Sequence, residues 1–321
     1  MRLLTITCNT AVDTTYVLDR LEPGAINRVA RALPRPGGKG NNVARVLATL
    51  GHAPVATGFA AGHTGRFIED ALRLQDVEPA FVSVAGESRV CLTIVEEATG
   101  RITEIREPGM TVGDGDARRL LERVGDLAAG AEAAAICGSL PPGLPTDFLA
   151  RLAGVLRAAG VFTVLDSSGE ALRAGLAGRP HLLKPNRDEI AALLGRDGDG
   201  DELIALVQTE LIGPRLDGDA AVLLSLGAEG AALIRRDVAW RAAAPRVAAV
   251  NTVGCGDALL AGYLDGRARG EGDPDALAHA VAVGAAAALQ EAVGAIDADD
   301  VPRLRREVRV FEAASAAARV G

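Results

Sequence analysis

Four short segments of this sequence carry residue types that could do chemistry on phosphorylated ligands. The first is Pro36-Gly37-Gly38-Lys39-Gly40-Asn41-Asn42. Glycines let a backbone approach a ligand closely, and a helix N-terminus turns unpaired N–H groups and partial positive charge toward an anion. Lys39 adds a mobile cation, and Asn41 and Asn42 add amide contacts. The segment does not match the GxxxxGK[ST] phosphate loop, and an ordinary glycine-rich turn has a similar composition. The second is Asn251-Thr252-Val253-Gly254-Cys255-Gly256-Asp257, again with glycines before a helix. An Asp there can accept a proton from an attacking hydroxyl while nearby amides stabilise developing phosphoryl charge. The same placement also complements a helix dipole, worth under about 1 kcal/mol.

The third segment is Lys184-Pro185-Asn186-Arg187-Asp188-Glu189. Glu189 follows Asn186 by one helical turn, and an amide with a carboxylate so placed suits a hydrated Mg²⁺. A polar strand-to-helix corner uses the same residues, with Asp188 and Glu189 facing the helix dipole. The fourth, Leu224-Ser225-Leu226-Gly227-Ala228-Glu229-Gly230, reads as a glycine-containing turn between strands.

The elements that must position these segments alternate along the chain. Residues 3–9 form a short apolar strand, and residues 42–50 place Val43, Val46, Leu47 and Leu50 on one helical face before Gly51. Strands are expected at 133–137, at 161–165 ending in Asp166, at 181–184 and at 221–224. Thr146 reads as the N-cap of a helix that Gly160 closes, and a further helix runs from Asn186 to Leu194. This alternation implies βαβ units and a mostly parallel sheet with helices on both faces. Two stretches break the rhythm, 14–33 and a hairpin at 89–106 that turns at Ala98-Thr99-Gly100. Both read as antiparallel-type strands of a small side sheet. Residues 195–201 read as a surface loop.

Composition narrows the function further. Of the 34 basic residues only Lys39 and Lys184 are lysine, the rest arginine, and both lysines lie in the segments above. An ammonium is a compact point charge on a flexible stem, a role a guanidinium does not fill. The net charge of −8 argues against nucleic acid or an anionic membrane as partner. No apolar run approaches the roughly 18 residues of a membrane span. The start of the chain shows no secretory pattern, so a cytoplasmic location is expected. The four cysteines, Cys8, Cys91, Cys137 and Cys255, are scattered without a CxxC pair, which indicates neither a disulfide framework nor a zinc site.

Taken in order, the four segments resemble the signatures of the PfkB (ribokinase-like) carbohydrate kinases. Gly37-Gly38-Lys39-Gly40-Asn41-Asn42-Val43-Ala44 resembles the N-terminal signature, and residues 251–257 resemble the C-terminal DTxGAGD signature. Lys184-Pro185-Asn186 with Glu189 resembles the NxxE magnesium-site motif, and Ser225-Leu226-Gly227 with Gly230 the nucleotide loop. Residues 7–13, 138–143 and 166–170 are similar to the phosphosugar branch, which holds 1-phosphofructokinases, tagatose-6-phosphate kinases and the minor 6-phosphofructokinase. The GGKG form with Lys39 is nearer the first two.

The resemblance implies an α/β, ribokinase-like three-layer sandwich over 1–321 as a single kinase domain, with lid strands inserted at about 13–35 and 88–107. It implies Asp257 as catalytic base, with the Gly254, Cys255 and Gly256 amides as anion hole. Asp13, Gly38, Lys39 and Asn42 would contact the sugar, and Arg28, Arg89 and Ser139 its phosphate. Lys184, Asn186 and Glu189 would serve ATP and Mg²⁺, with Asp166 a further metal candidate. Ser225, Gly227, Gly230 and Gly284 would frame the nucleotide. The lid would pair two subunits as a homodimer. The expected reaction is ATP-dependent conversion of fructose 1-phosphate to fructose 1,6-bisphosphate. Alternative acceptors are tagatose 6-phosphate, fructose 6-phosphate, or an unphosphorylated sugar or nucleoside, from which Arg28 and Arg89 discriminate. A non-catalytic sugar-phosphate sensor on the same fold is opposed by the presence of Asp257, Gly254 and Gly256. A dinucleotide-binding dehydrogenase is opposed by the lack of GxGxxG after the first strand.

Two positions depart from the family pattern. Asn251 replaces the usual Asp, and Cys255 the usual Ala. The Cys255 thiol either fills an Ala-sized site or, with a pKa lowered by the helix N-terminus, reacts with oxidants.

Overall fold

The computed structural model describes residues 2–313. Eleven strands build the main sheet. Its parallel part comprises β1 (Leu3–Thr7), β4 (Val55–Ala61), β5 (Glu78–Pro79), β6 (Val82–Val84), β9 (Ala133–Cys137), β10 (Phe162–Asp166), β11 (Leu182–Leu183) and β12 (Ala221–Ser225). An antiparallel edge follows: β13 (Ala231–Ile234), β14 (Ala239–Ala243) and β15 (Arg309–Glu312). The spatial order is β15-β14-β13-β12-β11-β10-β9-β1-β4-β5, with β6 also on β4. A second sheet of four strands, in the order β3-β2-β7-β8, comprises β2 (Ala11–Leu18), β3 (Arg31–Gly37), β7 (Arg89–Glu96) and β8 (Ile102–Arg106).

Successive strand residues face opposite sides of a sheet, and the core divides accordingly. Ala133, Ala135 and Cys137 pack on one side with α1 (Lys39–Thr49), α8 (Cys255–Ala268) and α9 (Asp273–Ala288), flanked by α10 (Asp300–Glu307). Ala134 and Ile136 pack on the other with α3 (Asp114–Ala128), α4 (Phe148–Ala158), α6 (Arg187–Leu194) and α7 (Gly200–Leu206), next to α5 (Gly169–Gly175). The short α2 (Gly62–Arg73) buries Ile68 and Leu72 against Val12 and Ala44. The result is the three-layer α/β arrangement expected from the sequence. Among the described residues, no helix is long and apolar enough to cross a membrane.

Sheet order reverses between β9 and β1, and a crevice opens beyond the carboxyl ends of strands at such a point. Thr7 pairs with Cys137, and Cys137 with Asp166, so three strands end level at this edge. All four chemistry-bearing segments end up there.

Several local expectations change. Helix α1 begins at Lys39, not Asn42, because Gly38 at φ +97 turns the chain into it. The N-cap of α4 is Asp147, not Thr146, and the Phe148 N–H is bonded to the Pro145 carbonyl at 3.0 Å instead. The loop expected over 195–201 is shorter, because Asp199 accepts from the Asp201 and Glu202 N–H groups at 2.9 Å and starts α7 at Gly200. The side sheet is mixed: β7–β8 is the expected hairpin, but β2 and β7 pair in parallel through eight residues of β2.

Candidate active site

Asp257 sits in the first turn of α8, and only 6% of its surface is exposed. Gly254 caps that helix at φ +84, and a Cβ there would lie 2.9 Å from Val293 Cγ1. Only glycine meets both conditions, a left-handed backbone and no space for a side chain. The Asn42 amide, on α1, donates to Asp257 Oδ2 at 2.8 Å. Burial pushes the Asp257 carboxyl well above the usual range, and the nearby Asp166 charge adds to the rise. Lys39, the Asn42 hydrogen bond and Lys184 oppose it. A carboxylate raised toward neutrality is suited to take a proton from a hydroxyl.

The two lysines meet at one carboxylate. Lys39 Nζ is 2.7 Å from Asp166 Oδ1, and Lys184 Nζ is 3.1 Å from Asp166 Oδ2. Asp166 itself is fully buried at the end of β10. Lys39 also lies 3.7 Å from Glu189 Oε1. Burial alone would lower the Lys39 pKa, but Asp166, Asp257 and Glu189 outweigh it and hold the ammonium charged. Lys184 Nζ comes close to the backbone of Gly256, 3.4 Å from where a Cβ would sit. Two ammonium groups therefore stand beside the N-terminus of α8, where its first N–H groups lack intrahelical partners.

Asn186 and Glu189 form a reciprocal cap on α6. Asn186 Oδ1 accepts from the Glu189 N–H at 2.8 Å, and Glu189 Oε2 accepts from the Asn186 N–H at 2.9 Å. Glu189 Oε1 is left toward Lys39. Mg²⁺ is commonly held through one or two carboxylates, waters and substrate phosphates. Glu189 fits that pattern; Asp166, with an ammonium group at each oxygen, is engaged otherwise. Among the described residues, no cluster of three or more His, Cys, Asp or Glu side chains could hold a metal alone.

A cleft of about 290 Å³ joins these groups to the four-stranded sheet. Asp13 reaches it from β2, and the Gly38 N–H approaches Asp13 Oδ2 at 3.4 Å. Burial raises the Asp13 pKa against the pull of the Gly38 N–H and of Arg89. Arg89 lines the cleft from β7, its Nη2 donating to the Asn9 carbonyl at 3.3 Å. The Asn9 amide donates to Ser139 Oγ at 3.3 Å, which fixes Ser139 near Arg89 without placing it in the cleft wall. Arg28 is not brought there: it is exposed on the loop between β2 and β3.

Glu104 and Arg106 of β8 line the same cleft and carry no motif. Strand periodicity could have found them. Once Arg89 faces the cleft, Cys91 and Thr93 follow at period two, and the register pairs Cys91 with Arg106 and Thr93 with Glu104. Arg106 is held by Glu104 at 2.8 Å.

On the nucleotide side, Ser225 lines the cleft and bridges to Asn186. Gly227 and Gly230 lie in the turn just beyond, Gly230 against the Ala242 carbonyl of β14. Gly284, on α9, faces the Cys255 carbonyl at the start of α8, so it supports that turn from behind. Of the two readings of Cys255, the structure favours the packed thiol: burial, then the Asp257 charge, pushes its pKa up to about 11. Burial outweighs the helix N-terminus here.

Residues 5–299 match the profile of the family described as pfkB family carbohydrate kinase. The chain is 33% identical over 314 residues to tagatose-6-phosphate kinase of Staphylococcus epidermidis, covering 97% of this chain and 99% of that one. Phosphofructokinase-2 from Escherichia coli, solved in complex with substrates and products, has a TM-score of 0.88 at 29% identity, covering 95% of this chain and 99% of that one. A possible 1-phosphofructokinase from Thermotoga maritima has a TM-score of 0.85 at 24% identity, covering 97% and 99%. That last likeness speaks for the fold alone.

Proposed function

Because this chain belongs to the pfkB family of carbohydrate kinases, we propose that its cleft phosphorylates a ketohexose monophosphate with ATP, using Asp257 as the base. The chain is a sugar-phosphate kinase that transfers phosphate to a hydroxyl; the acceptor and the residue roles are the proposal. The observation that carries it is the pairing of Asn42 with Asp257 at 2.8 Å, at a helix N-terminus flanked by both lysines.

Asp257 takes the proton of the acceptor hydroxyl as its oxygen attacks the γ-phosphorus, while the bond from that phosphorus to the β–γ bridging oxygen breaks and ADP leaves. The Gly254, Cys255 and Gly256 amides and Lys184 stabilise charge on the transferred group. Asp13, Gly38 and Asn42 orient the sugar, with Lys39 between sugar and phosphates. Arg89 and Arg106 hold the phosphate already on the sugar, with Ser139 tied behind them through Asn9. Ser225, Gly227 and Gly230 frame the nucleotide, and Asn186 keeps Glu189 in place. Mg²⁺ bound with ATP would be held through Glu189 and would neutralise charge on the β- and γ-phosphates. The lid sheet excludes water, which otherwise competes as acceptor.

Fructose 1-phosphate is the acceptor proposed first, the Lys39 form of the first loop being shared by 1-phosphofructokinases and tagatose-6-phosphate kinases against the minor 6-phosphofructokinase. A second reading, tagatose 6-phosphate, is supported by the 33% identity to a kinase of that name. An ADP-release assay over both sugar phosphates, fructose 6-phosphate, fructose and a nucleoside tests the proposal. A ketohexose monophosphate should exceed any unphosphorylated acceptor in kcat/KM by about 100-fold, since charge-assisted hydrogen bonds contribute about 1.5–3 kcal/mol each. Equal use of fructose would overturn it. Strand β8 exposes Ile102 and Ile105, and the loop between β2 and β3 exposes Ile26 and Val29. A second copy of the chain covering these side chains would make the homodimer, which sedimentation of Ile105→Lys against the wild type tests.

A further inference from the structure

One charged group near the site has no role in the reaction as described. Arg45 lies on α1, one turn beyond Asn42, and is 4% exposed. Among the described residues no carboxylate lies within ion-pair distance of it. Its Nε donates to Gln75 Oε1 at 2.7 Å, and its Nη1 donates to the Val293 carbonyl at 2.9 Å. Gln75 is itself fixed to the end of α2 through the Ala71 carbonyl at 2.9 Å. Burial pushes the Arg45 pKa down to about 10. A buried cation that no carboxylate touches costs stability, with the nearby Asp13 charge opposing burial only in part, and an apolar side chain of similar volume is often the more stable choice.

What Arg45 grips explains its presence. Residues 290–296 form a loop that starts near Asn251, whose amide donates to the Glu291 carbonyl at 2.9 Å. Its middle carries Val293, packed on Gly254, the N-cap of α8. The next residue, Gly294, has φ +67, and a Cβ there would be 2.8 Å from both Arg45 Nη1 and Asn42 Oδ1. The loop backbone is therefore pressed against the two α1 side chains at once. One of them holds the loop, and the other holds Asp257.

We propose that Arg45 is a positioning residue for phosphoryl transfer: by holding the Val293 carbonyl, it seats the 290–296 loop on Gly254 and Asn42 and so fixes the α8 N-terminus against Asp257's partner. It acts through these groups and touches neither substrate. The inference rests on the reading of Asp257 as base, so its test includes a readout independent of turnover.

Arg45→Lys and Gln75→Leu are compared with the wild type. Amide exchange across residues 290–296 should quicken in Arg45→Lys, and kcat should fall about 10- to 100-fold, the range that small misplacements of reacting groups produce. KM for both substrates should stay within about threefold, since no substrate contact is lost. The acid limb of the rate profile should move to higher pH, because the Asn42 hydrogen bond that restrains the Asp257 pKa is loosened. Gln75→Leu, which keeps the bond to Val293, should change each readout in the same direction and by less. Unchanged exchange in the loop overturns the proposal whatever the activity. Quicker exchange with unaltered kcat also overturns it. A wild-type protein inactive on every sugar phosphate would instead sink the kinase reading, with loop exchange in Arg45→Lys still deciding whether Arg45 seats the loop.

Discussion

Lys39 Nζ lies 2.7 Å from Asp166 Oδ1, a contact that ties the first glycine-rich segment to the end of β10. Asp166 meets Lys184 as well, at 3.1 Å, so the only two lysines of the chain share one buried carboxylate. On the proposed reading, phosphates entering the cleft would compete with that carboxylate for both ammonium groups.

Exchanging either lysine for arginine should therefore be damaging. Lys184 is 3% exposed, and a planar guanidinium cannot occupy the place of a compact ammonium beside Gly256. Lys184→Arg and Lys39→Arg should each lower kcat/KM for ATP or the sugar phosphate at least tenfold, or about 1.4 kcal/mol. Steady-state kinetics check this, and two fully active variants would reduce the lysine pattern to a compositional accident.

Asp166→Asn should destabilise the fold. Removing one partner of a buried ion pair strands the other, typically at about 3–5 kcal/mol. For a chain of this size that lowers Tm by roughly 4–7 °C. Calorimetry measures it, and an unchanged Tm would show the two ammonium groups satisfied elsewhere.

Asp257→Asn should have the opposite effect on stability. The folded chain holds the Asp257 proton more tightly than the unfolded chain does, because burial raises the pKa. The stability linked to that proton is full below about pH 4, the unfolded value, and is lost as pH rises through the raised folded value. The neutral amide avoids this loss, so Asp257→Asn should melt higher than wild type at neutral pH and equal to it in acid. A lower Tm across the range would contradict the burial of an ionised Asp257.

The thiol of Cys255 should be inert. With its pKa raised to about 11, almost none of it is thiolate at neutral pH. Iodoacetamide at pH 7 should leave turnover intact, and Cys255→Ala should keep wild-type kcat. Rapid inactivation that ATP prevents would restore the reactive-thiol reading.

Much of the site could be read from the sequence because glycine spacing is visible there. Gly38 and Gly254 mark two helix starts, and Lys39, Asn42, Gly256 and Asp257 follow within a turn of each. The contact between Asn42 and Asp257 spans 215 residues, so only the sheet order brings the two segments together. Glu104 and Arg106 escaped because β8 has no motif, and its cleft face is set by pairing with β7. Arg28 fell outside the cleft because its loop leaves the four-stranded sheet. The role of Asp166 was hidden for a different reason: a lone Asp at a strand end says nothing of which cations will reach it.

The most direct test is the turnover of Asp257→Asn, measured as ADP release with ATP, Mg²⁺ and the best sugar-phosphate acceptor. Loss of a general base predicts a kcat lower by about 10²- to 10⁴-fold, with KM for both substrates within about threefold. Near-normal kcat in that variant would contradict the assignment of Asp257 as the base.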